Sequence, residues 1–271
     1  MPSADDWIAV APSRPGLERI EARFAAHAFD PHRHDTYAIG YTMSGVQSFD
    51  YRGAPRASAA GQVMVLHPDE QHDGHAGSDT GFRYRMLYIE PHLIQQALGA
   101  DSGALPFVPD PVSADRQLVE AVVPALEDVD APVEDLQFDQ IVLSLAQALA
   151  TADPSYPGRK TSPAHRHAVS EARAYLDAHA HDAVTSEDLE TVTGVDRYQL
   201  ARHFRACLGT SPHRYLTMRR LDRARCLMRR GETLSAAAAE SGFADQSHMT
   251  RQFKKAYGIS PGKWQGLSRG S

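Results

Sequence analysis

Histidines are concentrated at two places in the first third of the chain. The stretch HPDEQHDGH, residues 67–75, holds three histidines and three carboxylates in nine positions, and PHRHD, residues 31–35, adds His32 and His34. Imidazole nitrogens are ligands for Zn²⁺ and Fe²⁺, and they also exchange hydrogen bonds with organic ligands. The pattern therefore predicts either a metal site or the polar part of a binding pocket.

Short strands are predicted around both histidine stretches, between about residues 20 and 90. Residues 35–43 run into Ser44-Gly45, a turn pair, before residues 46–51 alternate again, and residues 61–68 form an apolar run closed by proline. In residues 81–91, alternate positions place four large side chains on one face: Phe82, Tyr84, Met86 and Tyr88. Several short strands at this spacing predict a β-sandwich or barrel.

Two helices are predicted to follow the strands. The first contains a proline, and the second carries an apolar stripe at helical spacing: Phe138, Ile141, Val142, Leu145 and Leu149. The stripe packs on the barrel in one interpretation and forms a dimer interface in the other. Three prolines in residues 151–167 then predict a linker, assigned to 156–165, between domains at 1–155 and 166–271.

The charge changes sign at this predicted linker. Residues 159–271 contain 19 basic and 11 acidic residues, a net charge of +8, whereas the rest of the chain contains 9 basic and 23 acidic residues, a net charge of −14. This asymmetry predicts that only the C-terminal domain contacts a polyanion.

Two helix-turn-helix units are predicted in this basic domain, at residues 186–208 and 234–257. Ser186 is expected to cap the first unit, Asp196 to cap its second helix, and Gly194 and Gly242 to form the two turns. A long helix at residues 212–230 separates the units. Four apolar residues at matched spacing are expected to hold the second helix of each unit against the first: Leu200, Phe204, Met249 and Phe253.

The exposed faces of the two second helices are predicted to contact double-stranded DNA. The residues expected to contact base edges in the major groove are Arg197, Tyr198, Ala201, Arg202, Gln246, Ser247, Thr250 and Arg251. The cations expected to contact phosphates are Arg205, Arg214, Lys254 and Lys255.

The C-terminal domain resembles the DNA-binding domain of AraC/XylS-family transcription regulators over residues 166–265. The resemblance rests on a repeated Phe–basic–x–x–x–Gly–x–Ser/Thr–Pro element at 204–212 and 253–261, and on the GFxDxSH stretch at 242–248. It implies a rigid connecting helix and recognition helices that enter successive major grooves. A homodimer is also expected, with the apolar stripe of the second N-terminal helix as the candidate interface, and RNA polymerase is the further partner considered.

HRHDTYAIGYTMSG, residues 32–45, and AGQVMVLHPDEQHDG, residues 60–74, resemble the two motifs of a cupin. On these stretches the N-terminal domain is similar to the cupin-like, arabinose-binding-like sensor domain of the same family, a small double-stranded β-barrel. The resemblance implies an α+β protein of two domains: a cupin-like barrel with flanking helices, and an all-α domain of two helix-turn-helix units. The residues expected to contact a small-molecule effector are His32, His34, Tyr37, His72 and Tyr88. His67, His75 and His92 are expected at the surface or in turns.

A metal at the pocket is the less favoured prediction. In metal-binding cupins a glutamate follows the H-x-H pair, but positions 38 and 39 are Ala and Ile here. His32, His34 and His72 still suit Zn²⁺ or Fe²⁺ as three ligands with an open position. We therefore expect no cofactor, with this zinc or iron site as the alternative.

The preferred function is a sequence-specific transcription regulator that responds to an effector and is not an enzyme. The alternatives are a cupin-type metal enzyme fused to a DNA-binding domain, and a regulator controlled by a partner protein. MPSADDWIAV does not resemble a signal peptide, and no stretch approaches the ~18 apolar residues that span a bilayer. Two cysteines, Cys207 and Cys226, are expected to pack without forming a disulfide, as in a cytoplasmic protein without membrane contact.

Overall fold

The computed structural model describes residues 6–12, 14–99, 104–156 and 162–269. The strands are β1 Trp7–Val10, β2 Leu17–Phe24, β3 His27–His32, β4 Tyr37–Tyr51, β5 Ala54–Ala59, β6 Val63–Leu66, β7 His72–Ala76, β8 Phe82–Ile89, β9 Val112–Ser113 and β10 Ser268–Arg269. The helices are α1 Pro91–Ala97, α2 Arg116–Ala125, α3 Asp135–Ala152, α4 Pro163–Ala178, α5 Ser186–Thr193, α6 Arg197–Leu208, α7 Pro212–Arg229, α8 Leu234–Glu240, α9 Gln246–Tyr257 and α10 Pro261–Leu267. The order of these elements is the α+β arrangement expected from the sequence.

The 15-residue strand β4 joins the two sheets of the N-terminal domain. Its first part pairs with β6 and β8, and its second part pairs with β5 and β7. The predicted turn at Ser44-Gly45 is wrong, because the strand continues through it with a shift in register. Gly45 supplies the bend with a φ of +72°, and a side chain there would collide with the carbonyl oxygen of Gly81.

The helices of the N-terminal domain cover one face of this sheet. Ile141, Val142, Leu145 and Leu149 of α3 are buried in one apolar cluster with α2 and with β4, β6 and β8. Packing on the barrel is therefore the correct interpretation of the stripe. Pro124 lies next to the last residue of α2, so the predicted kink is instead a helix end.

The C-terminal domain contains both predicted helix-turn-helix units at the predicted residues, as α5–α6 and α8–α9. Leu200, Phe204, Met249 and Phe253 are all buried, as expected. Asp196 caps α6 as predicted, but the residue that caps α5 is Thr185 rather than Ser186. Thr185 and Asp188 form a reciprocal capping box, which fixes the helix start one residue earlier.

The predicted linker is shorter than the interval 156–165. Ser162 caps α4, and Pro163 occupies the first position of the helix. Proline fits there because its ring fixes φ at a helical value. Residues 157–161 of the linker lie outside the described residues. Among the helices that the structure describes, none is both long and apolar enough to cross a membrane. Cys207 and Cys226 are both free; Cys207 is buried as expected, but Cys226 is exposed.

The two domains share an extensive contact. Strand β10, at the end of the chain, pairs in parallel with β1. Strand β3 packs against α9, where the main-chain nitrogens of Asp30 and Arg33 donate to the carbonyl oxygens of Gly258 and Lys255 at 2.9 and 3.1 Å. The recognition helix of the second unit is thus hydrogen-bonded at its C-terminal end to the barrel.

Candidate ligand and DNA-binding sites

Three of the predicted effector histidines meet at the junction of β3 and β7. His32 ends β3 and is the register partner of His72, which begins β7, while His34 follows on the segment between β3 and β4. The ring centroids of His32 and His34 lie 4.3 and 4.9 Å from that of His72. All three side chains are buried, and one nitrogen from each lies within 4.8 Å of the others.

The main chain fixes the tautomer of each of these histidines. The Nδ1 atoms of His32, His34 and His72 lie 2.9, 3.0 and 3.0 Å from the carbonyl oxygens of Asp30, Thr36 and Glu70. Since a carbonyl oxygen only accepts, each Nδ1 carries the proton and each Nε2 keeps its lone pair. Burial lowers the pKa of His32 and His34 well below 6.5 and that of His72 to about 4, so the rings are neutral near pH 7.

The histidines line one end of a cavity of about 330 Å³ between the domains. Most of its walls are apolar: Phe29, Tyr84 and Met86 from the barrel, and Met218, Tyr257 and Trp264 from the helical domain. Tyr88 also lines it, with its ring 5.4 Å from that of His34. A pocket with apolar walls and a few convergent polar groups is typical of small-molecule sites.

Gln47 is a cavity residue that the sequence analysis missed. Its side chain is buried in the wall, and its Oε1 has no hydrogen-bond partner among the described residues. Alternation along β4 gives the signal, because Gln47 shares a strand face with the buried residues Phe49 and Tyr51. A polar residue on an otherwise apolar inward face indicates a binding function or a buried hydrogen bond.

Tyr37 and His67 lie on the opposite face of the sheet from the cavity. Their chain neighbours Ala38 and Leu66 line the cavity, so strand alternation directs Tyr37 and His67 away from it. The Tyr37 hydroxyl donates to the carbonyl oxygen of Pro106 at 2.7 Å, beneath the helices. Tyr37, which was predicted to contact the effector, therefore does not line this cavity.

His67 is a buried structural residue. Its Nε2 accepts from the main-chain nitrogen of Val108 at 2.9 Å, and its Nδ1 lies 2.7 Å from the hydroxyl of Tyr51. His67 opens the turn at residues 67–70, but the predicted surface position is wrong, because its buried side chain ties the sheet to the segment before α2. His75 is exposed as predicted, and His92 is half-buried beside Glu90 in α1.

The histidine cluster fits a divalent transition metal. Neutral imidazoles with free Nε2 lone pairs are the form that binds a metal, and a hydrogen bond from the other ring nitrogen to a main-chain carbonyl is the usual support of such a ligand. Three histidines would hold Zn²⁺ or Fe²⁺ and leave a position for water or an effector atom.

Two arginines of α7 that line the cavity link the domains. The Arg225 guanidinium lies 2.6 and 2.8 Å from the two carboxylate oxygens of Glu18 on β2. Burial raises the pKa of Glu18, but the charges and hydrogen bonds of Arg225 and Arg229 together outweigh burial and lower the pKa overall. Arg219 in turn lies 3.0 Å from Asp35 and 2.6 Å from Glu90.

Most of the residues predicted to contact bases are on the surface. Arg197, Tyr198, Arg202, Gln246, Ser247 and Arg251 are exposed, and Ala201 and Thr250 are half-buried. The Arg197 guanidinium donates two hydrogen bonds, of 2.8 and 2.9 Å, to the two carboxylate oxygens of Glu190. These donors are therefore already used and do not contact a base in this arrangement. The other exposed polar side chains of the set are available to a DNA groove.

Three of the four predicted phosphate contacts instead meet the barrel. Lys254 lies 2.7 Å from Asp30, Arg205 lies 3.2 Å from Asp69, and Arg214 donates to the carbonyl oxygen of Arg33. Arg214 is largely buried, and its Nε lies 4.0 Å from Asp69. Lys255 is exposed. In this arrangement acidic residues of the barrel form ion pairs with cations that were predicted to contact DNA phosphates.

Comparison with known proteins gives one family for the whole chain. Residues 14–168 match the AraC-like ligand binding domain, and residues 189–266 match a helix-turn-helix domain. The transcriptional activator RhaS of Citrobacter koseri is 26% identical over 92% of each chain, and the transcriptional regulator YbfI of Bacillus subtilis is 25% identical over 86% of each.

Solved structures give the same fold. ToxT of Vibrio cholerae superposes with a TM-score of 0.68 at 13% identity, over 94% of this chain and 100% of that one. The α+β architecture with a barrel and a helical DNA-binding domain is thereby confirmed. The chain belongs to the AraC-like transcription regulators, in which a ligand-binding domain is joined to a DNA-binding helix-turn-helix domain.

Proposed function

We propose that this regulator works in the cytoplasm and binds its effector in the cavity between the barrel and the helical domain. The observation that supports this most is that residues of both domains form the walls of one apolar cavity. A ligand that touches both walls has different affinities for the joined and the separated domains. That difference in affinity is what couples effector binding to DNA binding.

The cavity also indicates the class of effector. Its walls suit an apolar body, while its polar lining offers acceptors, the Gln47 Oε1 and the imidazole Nε2 atoms, and also the donors of Arg219, Arg225 and Arg229. The acceptors suit a hydrogen-bond donor on the effector, and the arginine donors suit an acidic group. ToxT has been solved with an unsaturated fatty acid and with a naphthalenyl butenoic acid, so apolar carboxylic acids are the natural class to compare in a screen.

DNA binding is proposed to compete with the contact between the domains. Asp30 and Asp69 neutralise cations expected at phosphates, so the arrangement described here favours weak DNA binding. Separation of the domains would expose Lys254, Arg205 and Arg214 together. Homodimer formation and contact with RNA polymerase stay predictions.

We propose no catalytic role for the protein. The relatives are transcription regulators, and the two positions where a cupin glutamate would stand are the buried residues Ala38 and Ile39. Control by a partner protein without a small molecule is disfavoured by the cavity, which such a mechanism does not need.

The test measures stability and DNA affinity of the full chain with the same compounds. The protein is first treated with a chelator, and then screened by thermal shift against apolar alcohols, amines, amides and carboxylic acids. A ligand at 100 times its Kd stabilises the protein by about 2.7 kcal/mol. We expect such a ligand also to change the affinity for operator DNA, measured by fluorescence anisotropy.

Two tyrosine variants locate the site. Tyr88→Phe removes a hydroxyl from the cavity wall and should weaken the effector response, whereas Tyr41→Phe, on the same sheet but outside the cavity, should leave it unchanged. Stabilising ligands that never alter DNA affinity, or that respond equally to both substitutions, would contradict the proposed site.

A further inference from the structure

We propose that His32, His34 and His72 bind a divalent transition-metal ion, and that the bound ion strengthens the contact between β3 and the recognition helix α9. The metal site rests on the geometry of the three side chains alone. Its effect on DNA rests on the proposed function, in which contact between the domains opposes DNA binding.

The arrangement of lone pairs points to a cation. The three protons on Nδ1 are all used by main-chain carbonyls, so the cluster presents acceptors without donors of its own. His34 Nε2 is buried and has no hydrogen-bond partner among the described residues. A buried acceptor without a partner costs free energy, and a metal ion shared by the three nitrogens removes that cost.

The surroundings of the cluster are compatible with a bound cation. Asp73 follows His72 and places negative charge beside its ring. Arg214 is the opposing charge, but Asp69 and the carbonyl oxygen of Arg33 contact its guanidinium. Imidazole ligands select zinc and its first-row neighbours over Mg²⁺ and Ca²⁺, which prefer oxygen ligands. Zn²⁺ is therefore the appropriate probe.

The same short segment connects the metal ligands to the DNA-binding domain. His32 Nδ1 donates to the carbonyl oxygen of Asp30, and the amide of Asp30 donates to Gly258 at the end of α9. The Asp30 carboxylate contacts Lys254, and the amide of Arg33 donates to Lys255. An ion that fixes the His32 ring thus orders the residues that hold α9.

The first experiment measures metal binding by the full chain after chelator treatment. Zn²⁺ is titrated against a chromophoric chelator, and Co²⁺ is added to a second sample to record its visible absorption. We expect one Zn²⁺ to bind per chain. We expect the Co²⁺ sample to show the intense visible absorption bands of an ion with a low coordination number. A cobalt spectrum identical to that of the ion in buffer would overturn the site without any variant being needed.

Substitutions assign the ligands. Loss of a hydrogen-bonding partner of a metal ligand costs about 10–100-fold in affinity, so His34→Ala or His72→Ala, which remove a ligand, should lose at least that factor. His75→Ala is the matched control, because His75 lies on the same strand as His72 but is exposed. Equal zinc affinity in His72→Ala and His75→Ala would overturn the assignment.

The second experiment measures operator affinity with and without Zn²⁺. We expect Zn²⁺ to weaken DNA binding by the wild type and by His75→Ala, but not by His72→Ala. Zinc that is bound without weakening DNA binding would overturn the coupling and leave the metal site intact. The effector screen described above uses metal-free protein, so its failure would count against the proposed function and not against the metal site.

Discussion

The amide nitrogen of Asp30 donates to the carbonyl oxygen of Gly258 at 2.9 Å, which joins the barrel to the end of the second recognition helix. Gly258 has a φ of +68°, and a Cβ there would lie 2.5 Å from the carbonyl oxygen of Asp30. The first recognition helix ends in the same way, since a Cβ on Gly209 would lie 2.7 Å from Pro68. Glycine at both helix ends therefore permits both the left-handed conformation and the close approach of the barrel.

We expect Gly258→Ala to weaken the domain contact and to strengthen DNA binding. The new methyl group collides with the main-chain carbonyl oxygen of Asp30, which cannot move aside as a flexible side chain would, and lies 2.8 Å from the Nδ1 of His32. If the substitution lowers the free energy of the contact between the domains by about 1 kcal/mol, DNA affinity rises about five-fold. Fluorescence anisotropy with operator DNA measures this change.

Gly231→Ala is the matched control for this substitution. Gly231 has a φ of +90°, but a Cβ there meets nothing within 4 Å. Both variants should lose about 1 kcal/mol of stability through backbone strain, while only Gly258→Ala gains DNA affinity. A similar gain in both variants would show that strain, and not the collision with Asp30, is responsible.

Asp69→Asn should release Arg205 and Arg214 for DNA. Asp69 has a φ of +61°, a conformation that asparagine also tolerates, so the backbone should be preserved. Each cation that gains a phosphate contact steepens the slope of log K against log salt by about 0.9. We therefore expect the slope to be steeper by about 1 to 2. Operator affinity, measured at several salt concentrations between about 50 and 200 mM, gives this slope.

Asp79→Asn makes the same change in net charge at an exposed position of the barrel. It should raise DNA affinity only slightly and leave the slope unaltered. If both variants behave alike, the effect belongs to the overall charge and Asp69 has no specific role.

The elements that depend on local signals were predictable from the sequence. The helix-turn-helix units were placed at the right residues because their caps, glycines and apolar spacing act within one turn of helix. The grouping of the three histidines was also predictable, because the resemblance to the two cupin motifs places the H-x-H pair beside His72. The stripe on α3 was ambiguous because burial against a barrel and burial against a second chain require the same residues.

The failures concern contacts between distant parts of the chain. Tyr37 and His67 were misplaced because the register of a strand decides which face a residue occupies, and the continuation of β4 past Gly45 was not foreseen. The pairs Glu18–Arg225 and Asp30–Lys254 join residues more than 200 positions apart. No spacing or local pattern identifies partners at such a separation.

Glu90 should contribute to stability in a pH-dependent way. Burial raises its pKa, but the side chains of His92 and Arg219 outweigh burial and lower the pKa from 4.5 to about 2. A lowered pKa stabilises the fold above the unfolded value near 4.5, and this stabilisation disappears as the pH falls toward 2. The full shift corresponds to roughly 3 kcal/mol.

The comparison of wild type with Glu90→Gln isolates this contribution. The free energy of unfolding should be lower for Glu90→Gln at pH 7, and the two proteins should converge as the pH falls from about 4.5 toward 2. Chemical denaturation at several pH values measures the difference. A difference that stays constant over this range would mean that the Glu90 side chain acts by packing and not by its charge.

Arg251 is the clearest test of sequence recognition, because it is exposed on α9 and forms no hydrogen bond or ion pair with the barrel among the described residues. An arginine that bonds guanine O6 and N7 contributes about 1–3 kcal/mol of discrimination, so Arg251→Ala should relax specificity at a single base pair. Lys255→Ala, on the same helix, should instead weaken binding to every sequence equally and reduce the salt slope by about 1. Affinities measured over a set of operators with single-base changes distinguish the two. An equal loss on all operators in Arg251→Ala would make Arg251 a phosphate contact, and the bases would then be contacted by other residues of α6 and α9.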